Sequence, residues 1–208
     1  MGDIDELENI ILTIDEKLDD KDTVRELLMK SSRTIERISR QIIQLIHNDG
    51  DPRDKFNDAL QEVSKVKSIV EDYPELYHSG MLRNGFQELA EAHILWSIKN
   101  DREILGPRDL NITPDSYLLG LGDVVGELRR MILDSLAEDE LEKARSLLTD
   151  MERIKDLLLH FDYPNAVLPI RHKQDVARDL VEKTRGDVTR SITNSALRKK
   201  MDELLEKL

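Results

Sequence analysis

The sequence predicts an all-α fold of about seven mostly long helices. Apolar residues recur along most of the 208 residues at the three- and four-residue spacing of one helical face. Only 4% of the residues are aromatic and 36% are charged, a balance typical of a well-solvated helical protein. The sequence contains no run of alternating β-branched residues and no internal repeat. We therefore expect a single domain over residues 1–208.

The first part of the chain predicts a long helix, a break and a second helix. Helical spacing continues over residues 4–47, and a capping box at residues 23–26 either restarts a helix or lies inside a longer one. A break follows, with Asp51 predicted as the N-cap and Pro52 at the first helical position. We expect the second helix to end near Asp72.

The rest of the chain predicts four further helices, separated by loops that contain proline or glycine. Residues 101–111 read as a loop, and residues 161–169 contain two prolines and read as a non-helical connector. The last helix is expected to be weakened at Gly186. The predicted bounds are Met81 to about Asn100, Thr113–Pro114 capping a helix to about Leu136, about Glu140 to His160, and Arg171 to Leu208.

Composition and charge exclude several classes of function. The chain lacks cysteine, so it can form no disulfide, thiol nucleophile or cysteine-ligated zinc site. Its acidic N-terminus lacks the apolar core of a signal peptide, and no apolar run approaches the roughly 18 residues of a membrane span. We expect a soluble, cytoplasmic protein. The net charge of −12 argues against a general nucleic-acid coat but leaves room for a local basic surface.

Two pairs of acidic residues lie in otherwise apolar helical segments. Glu88 and Glu91 are three residues apart, and Asp123 and Glu127 are four apart, so each pair occupies one helical face. A carboxylate carried into a helix contact must be paired, protonated or bound to a metal. Two such faces turned toward each other would form a four-carboxylate cage, the usual setting for hydrated Mg²⁺ or Mn²⁺.

The acid pairs also have an ordinary structural interpretation. Asp123, Glu127, Arg130 and Asp134 share one stripe of their helix, which taken alone is best explained as a solvent-facing stripe. Two unrelated solvent stripes would account for both pairs. The occurrence of both pairs on consecutive antiparallel helices, each in an apolar setting, favours a metal site instead.

Glycines and histidines carry weaker indications. The glycines at positions 120, 122 and 126 only superficially resemble a dinucleotide-binding loop, because no strand precedes them. We expect them to allow close helix packing or access to the adjacent carboxylates. No two of the five histidines have zinc-ligand spacing. His93 lies on an apolar face, so we expect it in the core.

A row of cations follows one face of the first long helix, opposite its apolar stripe. This basic row consists of Lys30, Arg33, Arg37 and Arg40. A solvated face is the ordinary explanation, but an uninterrupted cationic row in an acidic chain is also a reasonable track for phosphates. A second basic cluster, which could equally pair with the acids at positions 175 and 179, comprises Arg171, His172, Lys173 and Arg178.

Three segments of the chain resemble the translin/Trax family. Residues 117–130 (YLLGLGDVVGELRR) closely resemble its signature helix, and residues 161–178 (FDYPNAVLPIRHKQDVAR), followed by residues 180–188, resemble a second long element. Residues 87–92 (QELAEA) are similar to the family's Gln-Glu-x-x-Glu-Ala element. The likeness covers essentially the whole chain, which looks like a prokaryotic, archaeal member.

The resemblance implies a seven-helix subunit that assembles into a hollow, barrel-like octamer. In the Trax branch it also implies a metal-dependent endoribonuclease acting on single-stranded RNA inside that shell. Translin proper lacks the full set of acids, so the Trax-like branch fits better. The catalytic acids of that branch correspond to Glu88, Glu91, Asp123 and, as a further acid, Glu127. Its RNA contacts on the first long helix correspond to Arg33, Arg37 and Arg40.

On this interpretation the four acids would hold one or two Mg²⁺ ions, with Glu127 acting as a ligand or as the general base. The basic row would hold the RNA backbone without reading bases, because the chain has few aromatic residues on which bases could stack. An all-α nucleotide pyrophosphohydrolase is the alternative enzyme, since such proteins bind Mg²⁺ through paired acids on facing helices. A non-catalytic RNA-binding scaffold is the third possibility.

Overall fold

The computed structural model describes residues 2–206, and these residues form an all-α fold. Met1, Lys207 and Leu208 lie outside the described residues, and with them the predicted end of the last helix at Leu208. The described range contains six α-helices and one short 3-10 turn, which agrees with the predicted all-α fold. They are α1 (Gly2–His47), α2 (Arg53–Ile69), the 3-10 turn (Pro74–Leu76), α3 (Arg83–Lys99), α4 (Pro114–Ala137), α5 (Leu141–Leu159) and α6 (Arg171–Leu205).

The helix boundaries follow the predicted pattern, with one open alternative decided in α1 and one correction at Pro52. Helix α1 continues through Thr23, so the capping box lies inside a longer helix. Pro52 occupies the N-cap position of α2 rather than its first helical position, because the Pro52 carbonyl accepts the first helical hydrogen bond, from Phe56. The Asp51 carboxylate still caps this end, since it accepts a hydrogen bond from the backbone N–H of Arg53 at 3.1 Å.

Three helices end in the same way, with an aspartate in the left-handed conformation where glycine is usual. These residues are Asp49 after α1, Asp101 after α3 and Asp139 after α4, with φ of 54°, 50° and 61°. In each case the next residue donates its N–H to a carbonyl five positions earlier, at 2.8 to 2.9 Å. This hydrogen bond between residues five positions apart ends the helix, and it gives a partner to a carbonyl that the helix itself leaves unpaired.

The chain groups into two compact units. Unit 1 contains Met1–Leu89 and Leu105–Ser116, and unit 2 contains Ala90–Ile104 and Tyr117–Leu208. Helices α3 and α4 each run from one unit into the other. The expectation of one domain over residues 1–208 stays a prediction.

In unit 1, α1 packs against α2. The buried residues of α1 include Leu28, Ile35 and Ile42, which recur at the spacing of one helical face. The start of α3 approaches α1 very closely at Gly85. A Cβ atom on Gly85 would lie 2.6 Å from the backbone oxygen of Ser32, so only glycine fits without a shift.

In unit 2, α5 packs against α6. The end of α5 and the start of α6 are joined by the buried side chain of Gln174. Its Nε2 donates to the carbonyl oxygens of Leu158, at 2.8 Å, and Phe161, at 2.7 Å. The proline-containing connector between the two helices is non-helical, as predicted. Gln174 therefore fixes where α6 begins.

The first third of α1 leaves large apolar side chains in solvent. Five of them repeat at alternating three- and four-residue spacing and are between 47% and 74% exposed. This N-terminal apolar face consists of Ile4, Leu7, Ile11, Ile14 and Leu18. A second exposed apolar group lies at the end of α6 and consists of Leu197, Met201, Leu204 and Leu205. No helix among residues 2–206 has the length and apolar character needed to span a membrane.

Candidate functional site

Helix α3 carries Glu88 and Glu91 one turn apart, on a helix whose other side chains are mostly buried. Glu91 is itself buried, with 8% of its surface exposed, and Glu88 is half-buried. A buried carboxylate is costly unless polar or charged groups stabilise it. The structure therefore confirms that this acid pair does not belong to an ordinary solvent-facing stripe.

Helix α4 carries Asp123 and Glu127 one turn apart, both half-buried. Two turns further along the same stripe, Arg130 and Asp134 are exposed. The stripe thus changes character along the helix. A solvent-facing stripe explains its C-terminal part, whereas Asp123 and Glu127 are partly withdrawn from water.

The basic row on α1 lies in solvent along its whole length. All four of its side chains are exposed, whereas the opposite face of the helix is buried at Ile35 and Ile38. The row is therefore accessible to a polyanion. It consists, as predicted, of Lys30, Arg33, Arg37 and Arg40.

Within unit 1, the basic row contacts Glu88 of the first acid pair through Arg40. The Arg40 guanidinium donates to the Glu88 carboxylate on α3 at 3.3 Å, and it also contacts Glu36 one turn back on α1. Arg40 is 63% exposed, so its guanidinium is accessible from solvent while it is paired with these two carboxylates. The basic row and Glu88 are thus in direct contact through one side chain.

The other end of the basic row lies close to an acid of α2. Burial raises the pKa of the Glu62 carboxyl. Hydrogen bonds from Lys65 and Ser31, together with the charges of Lys65 and Lys30, outweigh this effect and hold the pKa below its usual value. The charge of Lys30 is therefore partly neutralised by Glu62, and we expect the stronger phosphate contacts at the three arginines.

Asp123 has a cationic partner that sequence reasoning did not assign to it. The Lys173 ammonium donates to Asp123 Oδ1, and the two side chains are only 23% and 28% exposed. The contact depends on Gly122, because a Cβ atom there would lie 2.8 Å from Lys173 Cβ and 3.0 Å from Lys173 Cγ. Gly122 thus allows close packing, as expected, whereas a Cβ at Gly126 would meet nothing within 4 Å.

The two arginines of the second basic cluster lie beside acids close to them in sequence. Arg178 donates to Asp175 at 2.8 Å, and Arg171 lies 3.9 Å from Asp162. Both arginines are exposed. The alternative interpretation of this cluster as local charge pairing is therefore confirmed for Arg178, while Lys173 has a different environment.

His93 belongs to the core, as predicted. It is buried, and its Nε2 lies 3.4 Å from the hydroxyl of Ser97 one turn further along α3. Burial lowers the pKa of His93, so the imidazole is neutral at neutral pH.

Neither surface shape nor side-chain geometry by itself marks a metal site. In the described part of the chain, no group of three or more histidine, aspartate or glutamate side chains is arranged to hold a metal ion. An open groove of about 420 Å³ in unit 1 is lined by Lys67, Tyr77 and Arg108, among others, and by none of the predicted site residues. The four-carboxylate cage therefore stays a prediction.

Comparison with known proteins gives a consistent result. The model of the Translin family matches residues 23–186. The uncharacterized protein MJ0175 of Methanocaldococcus jannaschii is 40% identical over an alignment of 185 residues, which covers 87% of this chain and 82% of that protein. The family match includes the whole basic row and helices α3 and α4.

Solved structures show the same fold. A crystal structure of AfC3PO has a TM-score of 0.81 at 31% identity, and a complex of AfC3PO with duplex RNA has a TM-score of 0.80 at 30% identity. Each comparison covers 88% of this chain and 97% of the other. Apo-NeC3PO is similar in fold alone, with a TM-score of 0.70 at 21% identity over 92% of this chain and 98% of the other. The chain therefore belongs to the translin family.

Proposed function

We propose that this protein binds RNA as an oligomer and cleaves its phosphodiester backbone in a reaction that depends on a divalent metal ion. The observation that carries the proposal is the contact between Arg40 and Glu88. An exposed cationic row that ends on a carboxylate of the acid pair would bring a phosphate backbone to the acids. Neither the row nor the acids alone would suggest cleavage.

RNA binding is supported by the comparisons and by the basic row. AfC3PO, which is similar over most of this chain, has been seen in complex with duplex RNA. The four exposed cations would bind phosphates and release counterions, which makes the affinity sensitive to salt. We further propose that single-stranded RNA is the cleaved form, with little dependence on base sequence because stacking platforms are scarce.

Assembly into an oligomer is supported by the exposed apolar side chains of α1 and α6. Contiguous apolar surface of this kind usually marks an interface, since single soluble subunits rarely leave it in water. A closed octameric shell is the form that we propose from the family resemblance. The reaction would then take place inside the shell.

The donor set suits Mg²⁺ or Mn²⁺, because all four candidates are hard carboxylate oxygens. We assign Glu88, Glu91, Asp123 and Glu127 as the groups that would hold the ion. A bound ion of this kind would supply an activated water and neutralise charge at the phosphate. Glu127 either completes the ligand set or accepts a proton from the attacking water as general base.

The chain's cations would hold the substrate for this chemistry. Arg33 and Arg37 would bind phosphates along α1, and Arg40 would place the next phosphate beside Glu88. Such positioning is a large part of catalysis in phosphoryl transfer. Because Arg40 already has carboxylate partners, its role would be orientation more than affinity.

A non-catalytic RNA-binding protein is the second candidate. It is favoured by the ion pairs of Glu88 with Arg40 and of Asp123 with Lys173, which give two of the acids a structural purpose. A protein of this kind would bind RNA through the same basic row. Chelation of divalent ions would not change its behaviour.

The deciding experiment uses labelled single-stranded RNA with MgCl₂, with and without EDTA. Asp123→Asn is the test variant, and Asp134→Asn is the matched control, because Asp134 lies exposed on the same stripe of α4. Cleavage that is lost with EDTA and in Asp123→Asn, but retained in Asp134→Asn, would support the proposal. Binding without cleavage in the unaltered protein would establish the second candidate.

A further inference from the structure

Lys173 lies in a specific contact that the proposed function does not use. It is the third residue of α6, and its ammonium donates to Asp123 Oδ1 on α4. The neighbouring cations Arg171 and Arg178 are exposed and face local acids. Lys173 is thus the member of its cluster whose charge is directed at a proposed metal ligand.

The chain fixes both ends of this contact. Gly122 leaves room for the Lys173 side chain to lie across α4, since Cβ and Cγ of the lysine occupy the space that a side chain would need. The next residue, Gln174, anchors the start of α6 through two hydrogen bonds to backbone carbonyls. An exposed lysine makes loose and variable ion pairs, whereas this one is three-quarters buried and held by its backbone.

The ammonium occupies one of the two carboxylate oxygens through which Asp123 could bind a metal ion. A lysine ammonium and a divalent cation carry like charges, and they repel strongly when both are within contact distance of one carboxylate oxygen. A metal ion that binds Oδ1 would therefore have to displace the ammonium, and one that binds Oδ2 would still meet its repulsion. Without metal, the same contact holds the half-buried Asp123 carboxylate in one orientation.

We propose that Lys173 competes with a divalent ion for Asp123 and thereby limits how tightly that ion is bound. This inference rests on the proposed function, because it takes Asp123 as a metal ligand. It assigns Gly122 as the residue that makes the competition possible. It does not require that Lys173 touch RNA.

The test is a titration of the full-length protein with MnCl₂ alone, followed by electron paramagnetic resonance of the free ion. Lys173→Met keeps the apolar stem of the side chain and removes its charge. It is expected to bind Mn²⁺ about tenfold more tightly than the unaltered protein, because a competing positive charge beside the site is gone. Lys183→Met is the matched control, since Lys183 is exposed on the same helix and is expected to leave the affinity unchanged.

The possible outcomes separate this inference from the proposed function. Equal Mn²⁺ affinity in the unaltered protein and in Lys173→Met, or weaker binding in the variant, would overturn the competition while leaving a metal-dependent reaction intact. Failure of every form of the protein to bind Mn²⁺ would overturn both. Binding that appears or tightens only in Lys173→Met supports the inference. A shift in melting temperature without a change in affinity would show that Lys173 has a structural role only.

Discussion

Gly85 offers a quantitative test of how closely α3 approaches α1. A Cβ atom at this position would lie 2.6 Å from the backbone oxygen of Ser32 and 3.1 Å from its side-chain oxygen. A backbone oxygen cannot turn away as the tip of a side chain can, so Gly85→Ala must push the two helices apart. Overpacking of this kind costs about 1–3 kcal/mol.

The opposing effect is the gain in helix propensity, since alanine is better than glycine inside a helix by about 1 kcal/mol. We expect a net loss of up to about 2 kcal/mol for Gly85→Ala. At Gly126 a Cβ meets nothing within 4 Å and the residue is exposed, so Gly126→Ala should show the gain alone. The two substitutions are chemically identical and are expected to have opposite signs.

Thermal unfolding followed by far-ultraviolet circular dichroism measures both variants against the unaltered protein. For a chain of this size, each kcal/mol corresponds to about 2–4 °C in Tm. Gly85→Ala should therefore melt several degrees below Gly126→Ala. Equal stabilisation of both variants would refute the close approach of α3 to α1 at Ser32.

Three further predictions concern RNA, assembly and pH. Replacing Arg33 and Arg37 together by alanine should weaken RNA binding, as measured by fluorescence anisotropy, and should reduce the slope of log affinity against log salt by about 0.7 per lost phosphate contact. A change no larger than that of Arg178→Ala would argue against RNA binding by the basic row. Replacing Leu7 and Ile11 by glutamate should give an oligomer of lower mass in size-exclusion chromatography with light scattering, whereas Asn9→Glu in the same helix should leave the mass unchanged. An unchanged mass in the double variant would exclude the N-terminal apolar face from the interface between subunits. Because burial lowers the pKa of His93, its contribution to stability is complete above the unfolded value near 6.5 and is lost as the pH falls below it. His93→Gln should therefore lose less stability than the unaltered protein between about pH 7.5 and pH 5.5, as measured by urea unfolding, and equal losses would contradict this assignment.

The all-α fold was predictable from the sequence because apolar spacing and proline positions decide where helices run. The break at Asp51–Pro52 and the connector before α6 are local signals of this kind. The sequence does not decide whether α1 continues through Thr23, because a capping box has the same sequence inside a helix as at its start. Its outcome depends on tertiary contacts, which one segment does not specify.

The candidate site was predictable to a different extent. The exposure of the basic row and the burial of Glu91 follow from helical periodicity, and the structure confirms both. The partner of Asp123 did not follow, because Lys173 is 50 positions away and sits among other cations in the sequence. Gly122 was the available signal, since a glycine beside an acid in a helix indicates that something passes close to it.

The aspartates that end α1, α3 and α4 have a practical consequence for work on this protein. Each holds a negative charge at the negative end of a helix dipole and a side chain in a conformation that favours glycine. Substitution of Asp49, Asp101 or Asp139 by glycine relieves both penalties, at an expected gain of about 0.5–1 kcal/mol per site. None of the three belongs to the acid pairs or to the basic row. They provide stabilised backgrounds in which a damaging change at a buried acid can still be studied in a folded protein.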